Sequence, residues 1–301
     1  MASLVARVEA AEDPAGRPIG VAPEPPLEPI RALLEREGIP VPARVAADER
    51  SGIELLEDVG DLSLTAAALA ASPAERRALY EEACDLVPLL QRVRDPGGVA
   101  AFDRHLDEAL LSYKAELFCE WVAEPCAGPA AAQVVREAFA RIADALRTAP
   151  ARLAHRDFQS ANVHLRAGRP PGRRLVLIDL QGALLAPPEY DLVCLLRDSY
   201  VDLSWDEVLR HLARIRPALP EAPGEEEFAH RFDLLTLSRK GKDLARFVYA
   251  ARQRGDSRYL SYAPPTLRAL RAAAARAAAR DPNFHALAEM LAALPEQACA
   301  R

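Results

Sequence analysis

His155-Arg156-Asp157-Phe158-Gln159-Ser160-Ala161-Asn162 runs straight into Val163-His164-Leu165-Arg166. After a turn rich in Gly and Pro (residues 167–172), the chain continues as Leu175-Val176-Leu177-Ile178-Asp179-Leu180-Gln181. Two short β-prone runs about a Gly/Pro-rich connection predict a hairpin. In a hairpin the start of the first strand lies beside the end of the second. Asn162 and Asp179 are therefore expected to meet at one end, with Asp157 on the loop leading in.

That set of residue types suits phosphoryl transfer. One Asp accepts the proton of a substrate hydroxyl, while the Asn and the second Asp hold Mg²⁺ on the phosphates of ATP. Mg²⁺ prefers hard oxygen ligands, which Asp and Asn supply. His-Arg-Asp alone is a weak signal. The Asn five residues after Asp157, the hairpin and the Ile-Asp at its far end make it specific.

Composition sets the frame. The 301 residues can bury a sizeable core, and a chain 50% hydrophobic and 27% charged reads as a globular protein. A net charge of −6 argues against nucleic acid as a partner. No apolar run is long enough for a transmembrane helix, and the acidic N-terminus (Glu9, Glu12, Asp13) does not read as a secretory signal. The cysteines, Cys84, Cys119, Cys126, Cys194 and Cys299, never fall at C-x-x-C spacing. They are expected to be free, which fits a reducing cytoplasm.

Taken in order, residues 1–61 predict a small β-rich lobe with one helix. Ser3–Glu9 and Pro18–Ala22 flank a turn cluster, Leu27–Glu37 has helical spacing stopped by Gly38, and Ile53–Asp58 reads as a strand. Residues 62–301 predict a large helical lobe. Its helices are expected from Pro73 through Leu90 with Ser72 as N-cap, over Phe102–Val122, over Pro129–Ala149, from Pro188 through Tyr200, over Trp205–Ile215 and along Glu225–Ala298.

The motifs H-R-D-F-x-x-x-N, I-D-x-Q and P-P-E-Y-D-L-V-C-L-L-R-D resemble those of the aminoglycoside phosphotransferase (choline-kinase-like) family. Leu55–Gly60, Glu116–Trp121 and the segment Leu237–Pro265 narrow the likeness to bacterial kinases of cell-wall amino sugars. These phosphorylate N-acetylmuramate and N-acetylglucosamine at the anomeric hydroxyl. The resemblance implies an α+β, protein-kinase-like two-lobed fold and an ATP- and Mg²⁺-dependent phosphotransferase acting on a sugar hydroxyl. It implies Asp157 as catalytic base, His155 as brace of the catalytic loop, and Asn162 and Asp179 as Mg²⁺ ligands. Glu57 and Val59 fall in the hinge whose backbone would hold adenine, and Asp191 matches a structural helix-start carboxylate. Gln181 follows the metal Asp as the subfamily pattern has it, near the substrate. A monomer taking a small amino sugar, in cell-wall recycling, is the expected context, with neither membrane nor nucleic acid as partner.

Other candidates carry competing readings. Trp121 with Glu120 is either a sugar-stacking platform or core. Arg239, Lys240 and Lys242 either meet a sugar carboxylate or phosphate, or form a solvated basic helix face. Arg197 and Asp198 are expected to pair locally, and Glu221 and Glu225–Glu227 to form a solvated acidic run. His105, His164, His211, His230 and His285 lack metal-ligand spacing.

The N-terminal lobe departs from the pattern. The lysines are Lys114, Lys240 and Lys242, so none lies where a kinase lysine would pair with the α/β-phosphates. The matching strand, Gly20-Val21-Ala22, carries no cation, Arg7 and Arg17 are the nearest substitutes, and no Gly-rich phosphate loop is seen. The lobe reads as one helix and a strand short, from a late start or a natural truncation. An active amino-sugar kinase is therefore weighed against a catalytically impaired pseudokinase acting as a binding protein, and against a kinase of aminoglycosides or other small molecules.

Overall fold

The computed structural model describes residues 25–48 and 50–295, together with the backbone of 2–6. It falls into two compact units, residues 1–104 with 153–185, and residues 105–152 with 186–301.

In the first unit, strands β1 (Ala2–Ala6), β2 (Arg44–Asp48) and β3 (Ile53–Glu57) form an antiparallel sheet in the order β1-β3-β2. β3 is thus the central strand, with Ala2–Ala6 on one side and β2 on the other. The second run expected at Pro18–Ala22, across the turn from Ser3–Glu9, and Arg7 and Arg17 with it, lie outside the described residues. Helix α1 (Leu27–Arg36) buries Ile30, Leu33 and Leu34, the apolar stripe that its spacing predicts. β2 was not expected from sequence, because its small, half-polar residues give no period-2 signal. Its register against β3 shifts at Arg44/Ala46.

Helix α2 (Leu64–Ala70) starts at Ser63, whose hydroxyl accepts from the Ala66 amide. The single helix expected from Pro73 divides into α3 (Pro73–Cys84) and α4 (Leu86–Arg92). Pro88 explains the break: it has no N–H to give the Cys84 carbonyl, and its ring crowds that group. Ser72 caps α3 in a reciprocal capping box with Glu75.

Four short strands complete this unit: β4 (Arg152–Ala154), β5 (Val163–Leu165), β6 (Leu175–Leu177) and β7 (Leu184–Ala186). β4 pairs with β7 and β5 with β6. The expected hairpin is β5–β6, antiparallel with Val163 opposite Leu177 and Leu165 opposite Leu175. Its connection closes through Arg166 N–H to Arg174 O at 2.7 Å. The chain contacts do not divide at residue 61. The hairpin joins the N-terminal strands because Leu177 N–H donates to Pro40 O at 2.9 Å and Leu165 N–H to Leu62 O at 2.8 Å.

The second unit is helical: α5 (Glu108–Phe118), α6 (Glu124–Ala127), α7 (Pro129–Leu146), α8 (Tyr190–Leu196), α9 (Trp205–Ile215), α10 (Glu225–Arg254), α11 (Ala263–Arg280) and α12 (His285–Ala293). The helix expected over 102–122 starts later, at Asp107, whose carboxylate accepts from Leu110 N–H at 2.8 Å. It ends in a π-helical segment, Cys119–Ala123. Likewise α8 stops at Leu196 rather than Tyr200, and Asp198 turns back to accept from Tyr200 N–H at 3.0 Å.

Gly241 sits in the middle of α10, where glycine costs about 1 kcal/mol in propensity. A Cβ there would meet Phe139 Cζ at 3.4 Å, so the glycine admits the Phe139 and Phe118 rings to the helix backbone. Arg239 and Lys240 are 3% and 2% exposed, which excludes the solvated basic face expected of this stretch. No described helix is long and apolar enough to cross a membrane.

Candidate active site

The hairpin end gathers Asp157, Asn162 and Asp179. Asn162 is the link between them. Its Nδ2 donates to the Asp157 backbone carbonyl at 2.9 Å and to Asp179 Oδ2 at 3.3 Å. The Asn162 carbonyl accepts from Ile178 N–H at 3.1 Å, which fixes the hairpin end just before Asp179. The loop between Asp157 and Asn162 is closed by its own backbone, Gln159 N–H to Asp157 O at 2.8 Å and Asn162 N–H to Gln159 O at 2.9 Å.

Two non-glycine residues here have left-handed backbones, Arg156 at φ 76° and Asp179 at φ 63°. Each costs on the order of 1–3 kcal/mol, and such strain persists where surrounding contacts over-determine it. At Asp179 both carboxylate oxygens are held. Gln181 Nε2 donates to Oδ1 at 2.7 Å, and Asn162 to Oδ2. Gln181 is held in turn through its carbonyl by Arg104 Nη1 at 3.1 Å.

His155 is buried, and its Nε2 donates to Ile178 O at 2.9 Å. Its ring meets Phe158 edge-on at 5.8 Å, and Phe158 is itself fully buried. His155 therefore ties the start of the loop to the residue preceding Asp179. Ser160 anchors the loop's middle from below, its hydroxyl 2.6 Å from that of Thr65 on α2.

The oxygens fit a hard divalent cation. Among the described residues no group of three His, Cys, Asp or Glu is placed to hold a metal. The donor set is instead one exposed carboxylate, Asp179, beside one amide oxygen, Asn162 Oδ1, whose Nδ2 is already committed. Mg²⁺ is commonly held this way, by one or two protein oxygens together with substrate phosphates and water.

Glu57 ends β3, and its carboxylate receives Arg166 Nε and Nη2, both at 2.8 Å, and Ala43 N–H at 3.1 Å. The Arg166 guanidinium, with Ala43 adding to it, holds this carboxyl below the usual range. The Glu57 side chain is thus occupied. Val59, two residues on, is half-buried.

The remaining candidates lie in the second unit. Trp121 stands in the π-helical segment, half-buried and edge-on to Tyr249 at 5.0 Å, while Glu120 is exposed. Arg239, Lys240 and Lys242 converge on Asp243 at 3.4, 2.8 and 3.7 Å. Arg197 lies over the Trp205 ring at 5.7 Å, where burial and Arg276 lower its pKa. Glu221 and Glu227 pair with Arg152 and Arg231. Asp191 is buried in the first turn of α8.

Sequence reasoning missed Thr65, Arg104 and Arg166. Each acts on a residue about 80 to 110 positions away. Nothing local marks such pairs.

A family model described as "Phosphotransferase enzyme family" matches residues 28–229. The chain is 31% identical over 284 residues to N-acetylmuramate/N-acetylglucosamine kinase of Pseudomonas aeruginosa, covering 91% of this chain and 79% of that protein. It is 30% identical over 263 residues to the enzyme of the same name from Neisseria meningitidis, covering 83% of this chain and 75% of that one. Among solved structures, LicA in complex with AMP is similar at TM-score 0.55 and 16% identity, over 80% of this chain and 76% of that one. That likeness shows the fold, a protein-kinase-like one whose larger part is helical.

Proposed function

The chain belongs to the phosphotransferase enzyme family and is an ATP-dependent small-molecule kinase, and from that premise we propose that it phosphorylates a hydroxyl of an N-acetylated amino sugar. N-acetylmuramate and N-acetylglucosamine are the acceptors named first, because the relatives of 31% and 30% identity carry those names. The observation that carries the reading is Asn162, whose amide joins the Asp157 carbonyl and the Asp179 carboxylate at one loop end.

The roles follow from the chemistry. Asp157 accepts the acceptor hydroxyl's proton as that oxygen bonds to the γ-phosphorus and the bond to the ADP oxygen breaks. Asn162 Oδ1 and Asp179 would hold Mg²⁺, which when bound neutralises charge on the phosphates. Gln181 keeps the Asp179 carboxylate turned toward Asn162, and His155 holds the loop against Ile178. The Val59 peptide edge would receive the adenine. Trp121 offers a ring face to a sugar.

The sequence feature favouring a second reading, an impaired kinase that binds nucleotide without turnover, is the absence of any lysine before Lys114. Phosphate transfer from ATP to N-acetylmuramate, N-acetylglucosamine and an aminoglycoside, with ³¹P detection of an anomeric phosphate, separates the readings. An anomeric phosphate on an amino sugar is expected. Transfer to the aminoglycoside alone would replace the acceptor, and binding without transfer would favour the second reading.

A further inference from the structure

The segment that follows β3 is stitched along its length to the segment that carries Asn162. Glu57 receives Arg166 in a two-pronged ion pair at 2.8 Å. The Gly60 carbonyl accepts from His164 Nδ1 at 2.8 Å. Leu62 O accepts from Leu165 N–H at 2.8 Å, and Ser63 bridges His164 in antiparallel fashion. At the far end, the Thr65 and Ser160 hydroxyls lie 2.6 Å apart. The two segments run antiparallel, 57 to 65 against 166 to 160, with a contact at nearly every turn of the chain.

A carbonyl acceptor obliges His164 to carry its proton on Nδ1. His164 is two residues from Asn162 and bonds a carbonyl one residue from Val59. We infer that this strip is a spacer: it fixes the distance between the peptide edge that receives adenine and the oxygens that receive the phosphates. His164 is its central positioning residue. The inference rests on the nucleotide site proposed above.

The physical consequence is preorganisation. A base site and a phosphate site held at fixed spacing are engaged together at little further cost, whereas two loosely tethered sites bind their halves separately. The strip supplies that fixed spacing.

The test compares wild type, His164→Ala and His164→Asn, using adenosine and ATP·Mg²⁺ as titrants. Asn places an amide nitrogen near the Nδ1 position and retains the donor. His164→Ala is expected to weaken ATP·Mg²⁺ by about 3- to 10-fold, the range of one lost hydrogen bond. Adenosine affinity should change less than about twofold, and Asn should restore ATP·Mg²⁺ binding. If His164→Ala fails to fold, Thr65→Val replaces it with the same expected split. A folded His164→Ala binding ATP·Mg²⁺ like wild type would overturn the inference and leave the nucleotide site standing. Equal weakening of both titrants would also overturn it, since that is loss of a support and not of a spacing. Wild type binding neither titrant would overturn the nucleotide site and the spacer together.

Discussion

Asp243→Asn is the perturbation that separates structure from substrate binding in α10. Asp243 gathers Arg239, Lys240 and Lys242, whose side chains are only 4%, 3% and 12% exposed. Burial opposes the Asp243 charge, yet the three cations outweigh it and hold the carboxyl well below its ordinary range. Removing one partner of a buried pair costs about 3–5 kcal/mol, because the other charge is left without compensation. Two features reduce that here. Lys240 keeps Ser199 Oγ at 2.9 Å, itself 2.8 Å from Thr266, and asparagine keeps one acceptor oxygen. A loss of about 2–3 kcal/mol remains, which moves a urea midpoint by roughly 1 M.

The pH sign follows from the depressed carboxyl. Its contribution is fully present above the unfolded value of about 4 and is lost as the pH falls below that. Wild type and variant should therefore differ at pH 7 and converge in acid. Urea unfolding followed by circular dichroism, at both pH values, reads this directly. Because Asp243 also carries Lys240, the double change Asp243→Asn/Lys240→Met should recover part of the loss. A variant within about 0.5 kcal/mol of wild type, with a raised KM for the acceptor instead, would refute the reasoning. Arg239 and Lys242 would then be substrate contacts.

Gln181→Ala removes the 2.7 Å support of Asp179 Oδ1 and should raise the Mg²⁺ concentration for half-maximal rate by about 10- to 100-fold, read from metal titration of turnover. Arg166→Ala breaks the paired bonds to Glu57 and a bond to Val41 O, with the arginine side chain 22% exposed. A stability loss of about 2 kcal/mol is expected. Since Arg166 lowers the Glu57 pKa, this loss should be full at neutral pH and shrink as the pH falls below about 4.

The legible part of the protein was the part written locally. The β5–β6 hairpin, the capping box at Ser72 and the apolar stripe of α1 each follow from residues within one or two turns of each other. Asp157, Asn162 and Asp179 are predictable neighbours because a hairpin fixes which ends meet. What was illegible depends on distant partners. Arg239 and Lys240 look like a solvated face until α10 is packed, after which their burial is compensated by Asp243, three and four residues on. The split at Pro88 leaves no mark in the apolar periodicity, which continues through it while the hydrogen-bond ladder cannot. Thr65, Arg104, His164 and Arg166 bond residues far along the chain, and spacing carries no trace of them.

The most direct test of the account is phosphate transfer from ATP to N-acetylmuramate or N-acetylglucosamine by wild type and by Asp157→Asn, with folding compared by circular dichroism. Asp157 is half-buried on a loop closed by its own backbone, so the amide should leave the fold intact. The account predicts transfer by wild type and a fall of about 10²- to 10⁴-fold in turnover for the variant, the loss of a general base. Equal turnover in a folded Asp157→Asn, or no transfer by wild type to either sugar, would contradict it.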